Sequence, residues 1–149
     1  MTRIRDIPGR MALAAYPFSI VIRAAYGDLD ANHHINNVAL VRFVEETTAS
    51  LNMRVFGEDA IVRPSGGVQL LTAAVSIDFV AQGFYPGDIT AAAGIAHLGR
   101  TSFVYASALF QPGRCIAVAH STLVYARDGA GVAVPDDVRH AMQAFLLKS

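Results

Sequence analysis

The stretch "YGDLDANHHINNVALVRFVEE" (residues 26–46) joins the most polar segment of the chain to one with a helical pattern. Two aspartates, three asparagines and two histidines lie between Asp28 and Asn37. Positions 40, 43, 44, 47 and 51 then follow helical spacing, which predicts a helix over residues 37–53. The side-chain oxygen of Asn36 or Asn37 can cap its first turn, and Gly57 is suited to end it.

Strand patterns surround this helix. One apolar, β-branched segment precedes it at 18–25, and four follow it at 68–81, 89–99, 101–110 and 115–126. The turn signals "YPGD" (85–88) and "QPGR" (111–114) separate strands, and residues 134–147 predict a short C-terminal helix that begins near Pro135. We therefore predict one α+β domain over residues 1–149, with an antiparallel sheet wrapped around one long central helix.

Composition narrows the classes of function. The 149 residues are 53% hydrophobic and 16% charged, which is apolar for a soluble monomer and suggests a full core or a subunit interface. Lys+Arg and Asp+Glu number 12 each, so charge gives no reason to expect binding to nucleic acid or an anionic membrane. No uninterrupted apolar stretch reaches the ~18 residues of a membrane span.

The chain contains a single cysteine, Cys115, so no disulfide can form within it. One cysteine suits a reducing cytoplasm, which is the location we expect. Pro17 and Arg23 interrupt the apolar run near the N-terminus, so we predict no cleaved signal peptide. The histidines outside the polar segment lack the spacing of metal ligands, and we expect no metal and no cofactor.

The segment "DLDANHHINNVALVRFVEE" resembles the hotdog-fold acyl thioesterases of the 4-hydroxybenzoyl-CoA thioesterase type. These carry an aspartate-x-aspartate, then a histidine-valine-asparagine-asparagine-like stretch, then a helix that bears a glutamate. The matching positions are Asp28, Asp30, His34, Ile35, Asn36, Asn37 and Glu45. Part of the segment is also similar to plant acyl-carrier-protein thioesterases. His33 departs from a common glycine, and Leu40 departs from a common aromatic residue.

The resemblance implies hydrolysis of an acyl-CoA or acyl-carrier-protein thioester. The reaction needs a group that activates water or attacks the carbonyl, and donors that hold the developing oxyanion. A carboxylate just before a helix can supply the first, and unpaired N–H groups at the helix N-terminus can supply the second. The expected catalytic residues are Asp30, Asn37, His34, Asn32 and Glu45.

Other interpretations remain open for the same residues. Asp30 and Asp28 can each cap a turn without taking part in chemistry. A second hotdog lineage places its catalytic carboxylate on the central helix, which would make Glu45 or Glu46 the base or nucleophile. Hotdog hydratases and non-catalytic acyl-CoA-binding domains of the same fold are further alternatives.

The segment "HLGRTSF" (97–103) is the expected contact for the acyl carrier. Gly99 permits a bend between two strands, and Arg100 can grip a phosphate with two hydrogen bonds. In the thioesterases that the chain resembles, basic residues here meet the phosphates of coenzyme A, so Arg100, Thr101 and Ser102 are the expected substrate-binding residues. The resemblance also implies an active site at a subunit interface, and we expect a homodimer or homotetramer.

Overall fold

The structure is a computed structural model that describes residues 2–58 and 67–149. It confirms the predicted α+β plan, a six-stranded antiparallel sheet with one long helix against it. The strands lie in the order β1-β3-β4-β5-β2, and β6 pairs with the end of β5. The elements are β1 (Phe18–Arg23), α1 (Asn37–Phe56), β2 (Val68–Phe79), β3 (Asp88–Leu98), β4 (Ser102–Gln111), β5 (Arg114–Arg127), β6 (Ala130–Gly131) and α2 (Asp136–Met142).

The central helix α1 begins and ends where its capping residues predict. Asn36 is the N-cap, and its Oδ1 accepts a hydrogen bond from the N–H of Ala39 at 2.7 Å. Gly57 ends the helix with a φ of 89°, a left-handed conformation that favours glycine. The helix runs three residues further than the sequence pattern predicts, to Phe56.

Burial of one face of α1 fixes its position along the sheet. Leu40 and Val44, in its first half, pack with Leu109 of β4 in one core cluster. Leu51, in its second half, belongs to a separate cluster with Tyr105. The N-terminus of α1 therefore lies near the end of the sheet where β4 turns into β5. None of the described helices is long and apolar enough to cross a bilayer.

Residues 2–16 form a cover that the sequence patterns do not predict. Two short 3-10 turns, Ile4–Asp6 and Leu13–Ala15, carry the chain across the sheet. Ile4 and Tyr16 are buried there against a third core cluster that includes Ala106 of β4. Both surfaces of the central strands are thus packed, which accounts for part of the high apolar content.

Gly94 in β3 marks a place where no side chain fits. A Cβ at this position would lie 2.7 Å from side-chain atoms of both Pro17 and Leu147. We expect Gly94→Ala to destabilise the fold by about 1–3 kcal/mol through overpacking, measured as a lower thermal midpoint. Gly27→Ala is the matched control, because no atom of the described residues other than its chain neighbours lies within 4 Å of the added carbon. Equal midpoints for the two variants would contradict the packing described for Gly94.

Candidate active site

The loop that precedes α1 folds back on itself as a tight turn. Leu29 and Ile35 form an antiparallel bridge across it. The N–H of Asp30 donates to the carbonyl of His34 at 2.9 Å. The polar segment is thereby held beside the first turn of α1, as the short spacing between Asp30 and Asn37 predicts.

His33 lies at the tip of this turn with a φ of 60°. That left-handed conformation is uncommon for residues other than glycine, although histidine adopts it more readily than most. It gives a physical reason for the glycine that thioesterases often carry at this position. The chain keeps the same backbone shape with a histidine.

The carboxylate of Asp30 has one oxygen engaged and one free. Its Oδ1 accepts main-chain hydrogen bonds from Asn32 at 2.8 Å and His34 at 3.2 Å. Within residues 2–58 and 67–149, Oδ2 accepts no hydrogen bond. Asp30 therefore orders the turn, and its exposed side chain still presents an oxygen that a water or a substrate can reach.

A cleft of about 280 Å³ opens beside this carboxylate. Four of the predicted catalytic residues share it, and the end of β2 with the segment after it closes the far side. The lining residues are Asp30, Asn32, His34, Ile35, Asn37, Leu40, Phe79, Val80, Ala81 and Gln82. The cleft is thus polar on the loop side and partly apolar opposite it.

The N-terminus of α1 supplies hydrogen-bond donors at this cleft. The Asn36 side chain occupies the N–H of Ala39, whereas the N–H groups of Asn37 and Val38 have no acceptor among the described residues. Such groups point back along the helix axis and carry its partial positive charge. A developing negative charge on a carbonyl oxygen would be stabilised there.

Asp28 holds the loop in place, which is the structural role that the sequence also suggested for it. Its Oδ2 accepts from the N–H of Ala25 at 2.8 Å, and its Oδ1 pairs with the guanidinium of Arg42 on α1 at 2.5 Å. Burial alone would raise the pKa of this carboxyl, but the Ala25 N–H and Arg42 outweigh it and lower the pKa. Asp28 thus ties the loop to the helix as a charged group.

The two helix carboxylates lie outside the Asp30 cleft of the same subunit. Glu45 is exposed on α1, eight residues and therefore roughly 12 Å beyond Asn37. Glu46 borders a separate cleft of about 350 Å³ that also includes Asp28 and Arg42. The structure does not bring Glu45 to the other four predicted catalytic residues within one chain.

The predicted carrier contact lies at the opposite end of the sheet. The main chain of Arg100 is held by Val134, whose N–H donates to its carbonyl at 2.9 Å, and by the guanidinium of Arg139 at 3.2 Å. Its side chain is exposed, whereas Thr101 and Ser102 are half-buried. Strand β4 separates this turn from the Asp30 end by about 30 Å.

The wall formed by Phe79, Val80, Ala81 and Gln82 was not predicted as part of the site. The main chain here fits closely under the loop, since the N–H of Ile35 donates to the carbonyl of Gly83 at 2.9 Å. A Cβ on Gly83 would lie 3.1 Å from the Ile35 side chain. A glycine just past a strand was the one local signal of this close approach.

The only cysteine is unsuited to be a nucleophile. Cys115 is buried at the start of β5, away from the cleft, and its Sγ donates to the carbonyl of Ala117. Burial raises the pKa of the thiol to about 11, so it stays protonated at neutral pH. Carboxylate chemistry at the loop is therefore favoured over thiol chemistry.

Comparison with known proteins agrees with this architecture. A model of the thioesterase superfamily matches residues 32–118, more than half of the chain, beginning two residues after Asp30. None of the curated proteins matches the sequence significantly.

Solved structures extend the likeness over nearly the whole chain. A protein of Pseudomonas aeruginosa strain PAO1 is 25% identical with a TM-score of 0.77, over 92% of this chain and 96% of its own. A predicted thioesterase of Bacillus stearothermophilus is 24% identical with a TM-score of 0.80, over 89% and 98%. A Thermus thermophilus thioesterase complexed with coenzyme A and Zn is 18% identical with a TM-score of 0.75, over 88% and 95%. The chain is a thioester hydrolase with the hotdog fold and belongs to the thioesterase superfamily.

Proposed function

We propose that the protein hydrolyses acyl-CoA thioesters, with Asp30 as the general base or nucleophile and the N-terminus of α1 polarising the carbonyl. The observation that carries this proposal is the Oδ2 of Asp30, which accepts no hydrogen bond from the described residues and lies in a cleft that also borders the first turn of α1. Asn37 can orient the carbonyl or the water, and Asn32 and His34 complete the polar side of the cleft. Glu45 or Glu46 is the alternative base or nucleophile.

Both versions of the chemistry use the same atoms of the chain. As a base, Asp30 takes a proton from water while the water oxygen attacks the carbonyl carbon, and the carbon–sulfur bond then breaks. As a nucleophile, Asp30 attacks the carbonyl carbon itself, the carbon–sulfur bond breaks as the thiolate leaves, and water then hydrolyses the resulting mixed anhydride. Coenzyme A thiolate leaves readily, so neither version needs a strong general acid.

The choice of coenzyme A as carrier is supported by one relative. The Thermus thermophilus thioesterase is described as a complex with coenzyme A. Among residues 2–58 and 67–149, no three His, Cys, Asp or Glu side chains lie together as metal ligands, and the proposal assigns no metal.

We further propose that two subunits pair through β2. This strand is twelve residues long and forms one edge of the sheet, where long unpaired edges invite association. Its Leu71, Val75 and Phe79 are about 40% exposed, and α1 packs mainly on β3 and β4 instead. A second copy can cover this apolar edge by antiparallel pairing about a two-fold axis.

Such pairing would also bring Arg100 of one subunit close to the Asp30 cleft of the other. The Phe79 end of β2 borders the Asp30 cleft. The Val68 end of β2 and the start of β4 both pair with the C-terminal end of β5, so these two lie near each other. Antiparallel pairing sets one subunit's Phe79 end against the other's Val68 end. Arg100, Thr101 and Ser102 would then serve the site of the partner subunit.

Replacing the Asp30 carboxylate tests the proposed chemistry. Asp30→Asn keeps an Oδ1 acceptor for the Asn32 and His34 N–H groups, so we expect the thermal midpoint to stay nearly unchanged. Turnover should fall at least ~100-fold, as is typical for a lost acid–base group, in a thiol-release assay on a panel of acyl-CoAs.

Asp136→Asn, an exposed change on α2, is the matched control for that assay. Near-normal turnover of Asp30→Asn would contradict the proposal, and Glu45→Gln and Glu46→Gln should then be tested. Hydration of enoyl-CoA without thiol release from acyl-CoA would instead indicate a hydratase.

The oligomeric state tests the pairing through β2. Light scattering should give at least twice the 15.9 kDa mass of the chain. Val75→Lys should weaken the assembly, because it places a charge on the paired edge. Val21→Lys is the matched control, since Val21 is an exposed valine on the opposite edge strand β1. A stable, fully active wild-type monomer at micromolar concentration would contradict the pairing.

Removing the Arg100 side chain tests the carrier contact. Arg100→Ala should raise KM for acyl-CoA by about 5- to 20-fold with little change in kcat, as expected for a lost phosphate contact. Arg100→Lys should recover part of the loss, and an acyl-pantetheine without the nucleotide should respond to neither change. An equal KM increase for both substrates would place Arg100 in the acyl site or the fold.

A further inference from the structure

Gln111, the last residue of β4, holds the main chain of Phe84 at both of its polar atoms. The N–H of Phe84 donates to Gln111 Oε1 at 2.9 Å, and Gln111 Nε2 donates to the Phe84 carbonyl at 2.8 Å. Gln111 is buried, and its two bonds to Phe84 are part-buried, so they are partly shielded from water. The two residues are 27 positions apart, and the pair therefore joins the β4–β5 hairpin to the segment after β2.

The ring of Phe84, whose main chain Gln111 holds, contacts the active-site loop. It lies edge-to-face with the imidazole of His34, with ring centroids 5.4 Å apart. The guanidinium of Arg114 lies over the same ring at 4.4 Å from its centroid. His34 in turn lines the cleft, and its N–H holds Asp30 Oδ1. One continuous set of contacts thus runs from Gln111 to the carboxylate.

Two neighbouring glycines show how closely this segment fits. A Cβ on Gly87 would lie 3.1 Å from Gln111 Nε2, so the absence of a side chain there leaves room for the amide. A Cβ on Gly83 would lie 3.1 Å from the Ile35 side chain. The segment between them has little freedom to shift without moving either Gln111 or the active-site loop.

We propose that Gln111 is a positioning residue for the hydrolysis, acting through Phe84 to keep His34 and the Asp30 turn in place. The proposal rests on the proposed function and adds a residue that lies outside the Asp30 cleft. A glutamine suits the role because its amide carries an acceptor oxygen and a donor nitrogen, which match the N–H and carbonyl of a single residue.

Gln111→Glu is the decisive variant because protonation can restore the missing donor. As a carboxylate it keeps an acceptor for the Phe84 N–H but repels the Phe84 carbonyl, so kcat/KM should fall about 10-fold at pH 8 through misplacement of the site. As the pH falls, the introduced carboxyl takes up a proton and can donate again, and the activity relative to wild type should rise. Asp88 favours this protonation and Arg114 opposes it, since both border the same cleft.

Gln111→Met removes both hydrogen bonds without adding charge. It provides a second test in case Gln111→Glu does not fold. Its kcat/KM should fall by a similar factor, about 10-fold, and this loss should not depend on pH. Gln143→Glu, the same chemical change at an exposed site after α2, is the matched control and should follow wild type at every pH.

A double-mutant cycle tests whether Gln111 acts through the Phe84 ring. In a Phe84→Ala background, Gln111→Met should cost less than about 2-fold, because the ring that transmits the constraint is gone. If the losses of kcat/KM from Gln111→Met and Phe84→Ala simply add in the double variant, Gln111 does not act through the Phe84 ring. Folded Gln111 variants whose activity stays within about 2-fold of wild type at every pH, while Asp30→Asn is inactive, would also overturn the proposal. A wild-type chain that releases no thiol would instead overturn the proposed function itself.

Discussion

The N-terminus of α1 is the constraint on which the site depends. A twenty-residue helix leaves N–H groups at its first turn that it cannot satisfy internally. Asn36 satisfies one of them, and the loop folds back so that the Asp30 carboxylate lies near the others. In the proposed mechanism, the N–H groups of Asn37 and Val38, which have no acceptor among the described residues, become donors for the reacting carbonyl.

The site is precise because three separate parts of the chain meet at it. The Asp28–Arg42 ion pair ties the loop to α1. Gly83 brings the segment after β2 against the loop, and Gln111 holds that segment from the other side. Each contact involves a main-chain group or a buried side chain, so the cleft is defined by packing of the fold rather than by flexible surface residues.

Much of the fold follows from local sequence, and the site follows only in part. The period of α1 and its caps at Asn36 and Gly57 give the helix, and the turns on either side identify the alanine-rich β3 as a strand. The N-terminal cover escaped prediction because 3-10 turns have no hydrophobic period. The wall at Phe79 and the Gln111 contact escaped it because they join residues that are distant in sequence. The separation of Arg100 from Asp30 depends on topology, which spacing along the chain does not reveal.

A crystal structure with a non-hydrolysable acyl-CoA analogue, in which a ketone replaces the thioester, would show whether the thioester binds between Asp30 and the N-terminus of α1. We expect the ketone oxygen to lie within hydrogen-bonding distance of an N–H in the first turn of α1, near Asn37 or Val38. Asp30 Oδ2 should then contact the carbonyl carbon directly or through one water. A ketone bound beside Glu45 or Glu46, with the Asp30 cleft empty, would contradict this expectation.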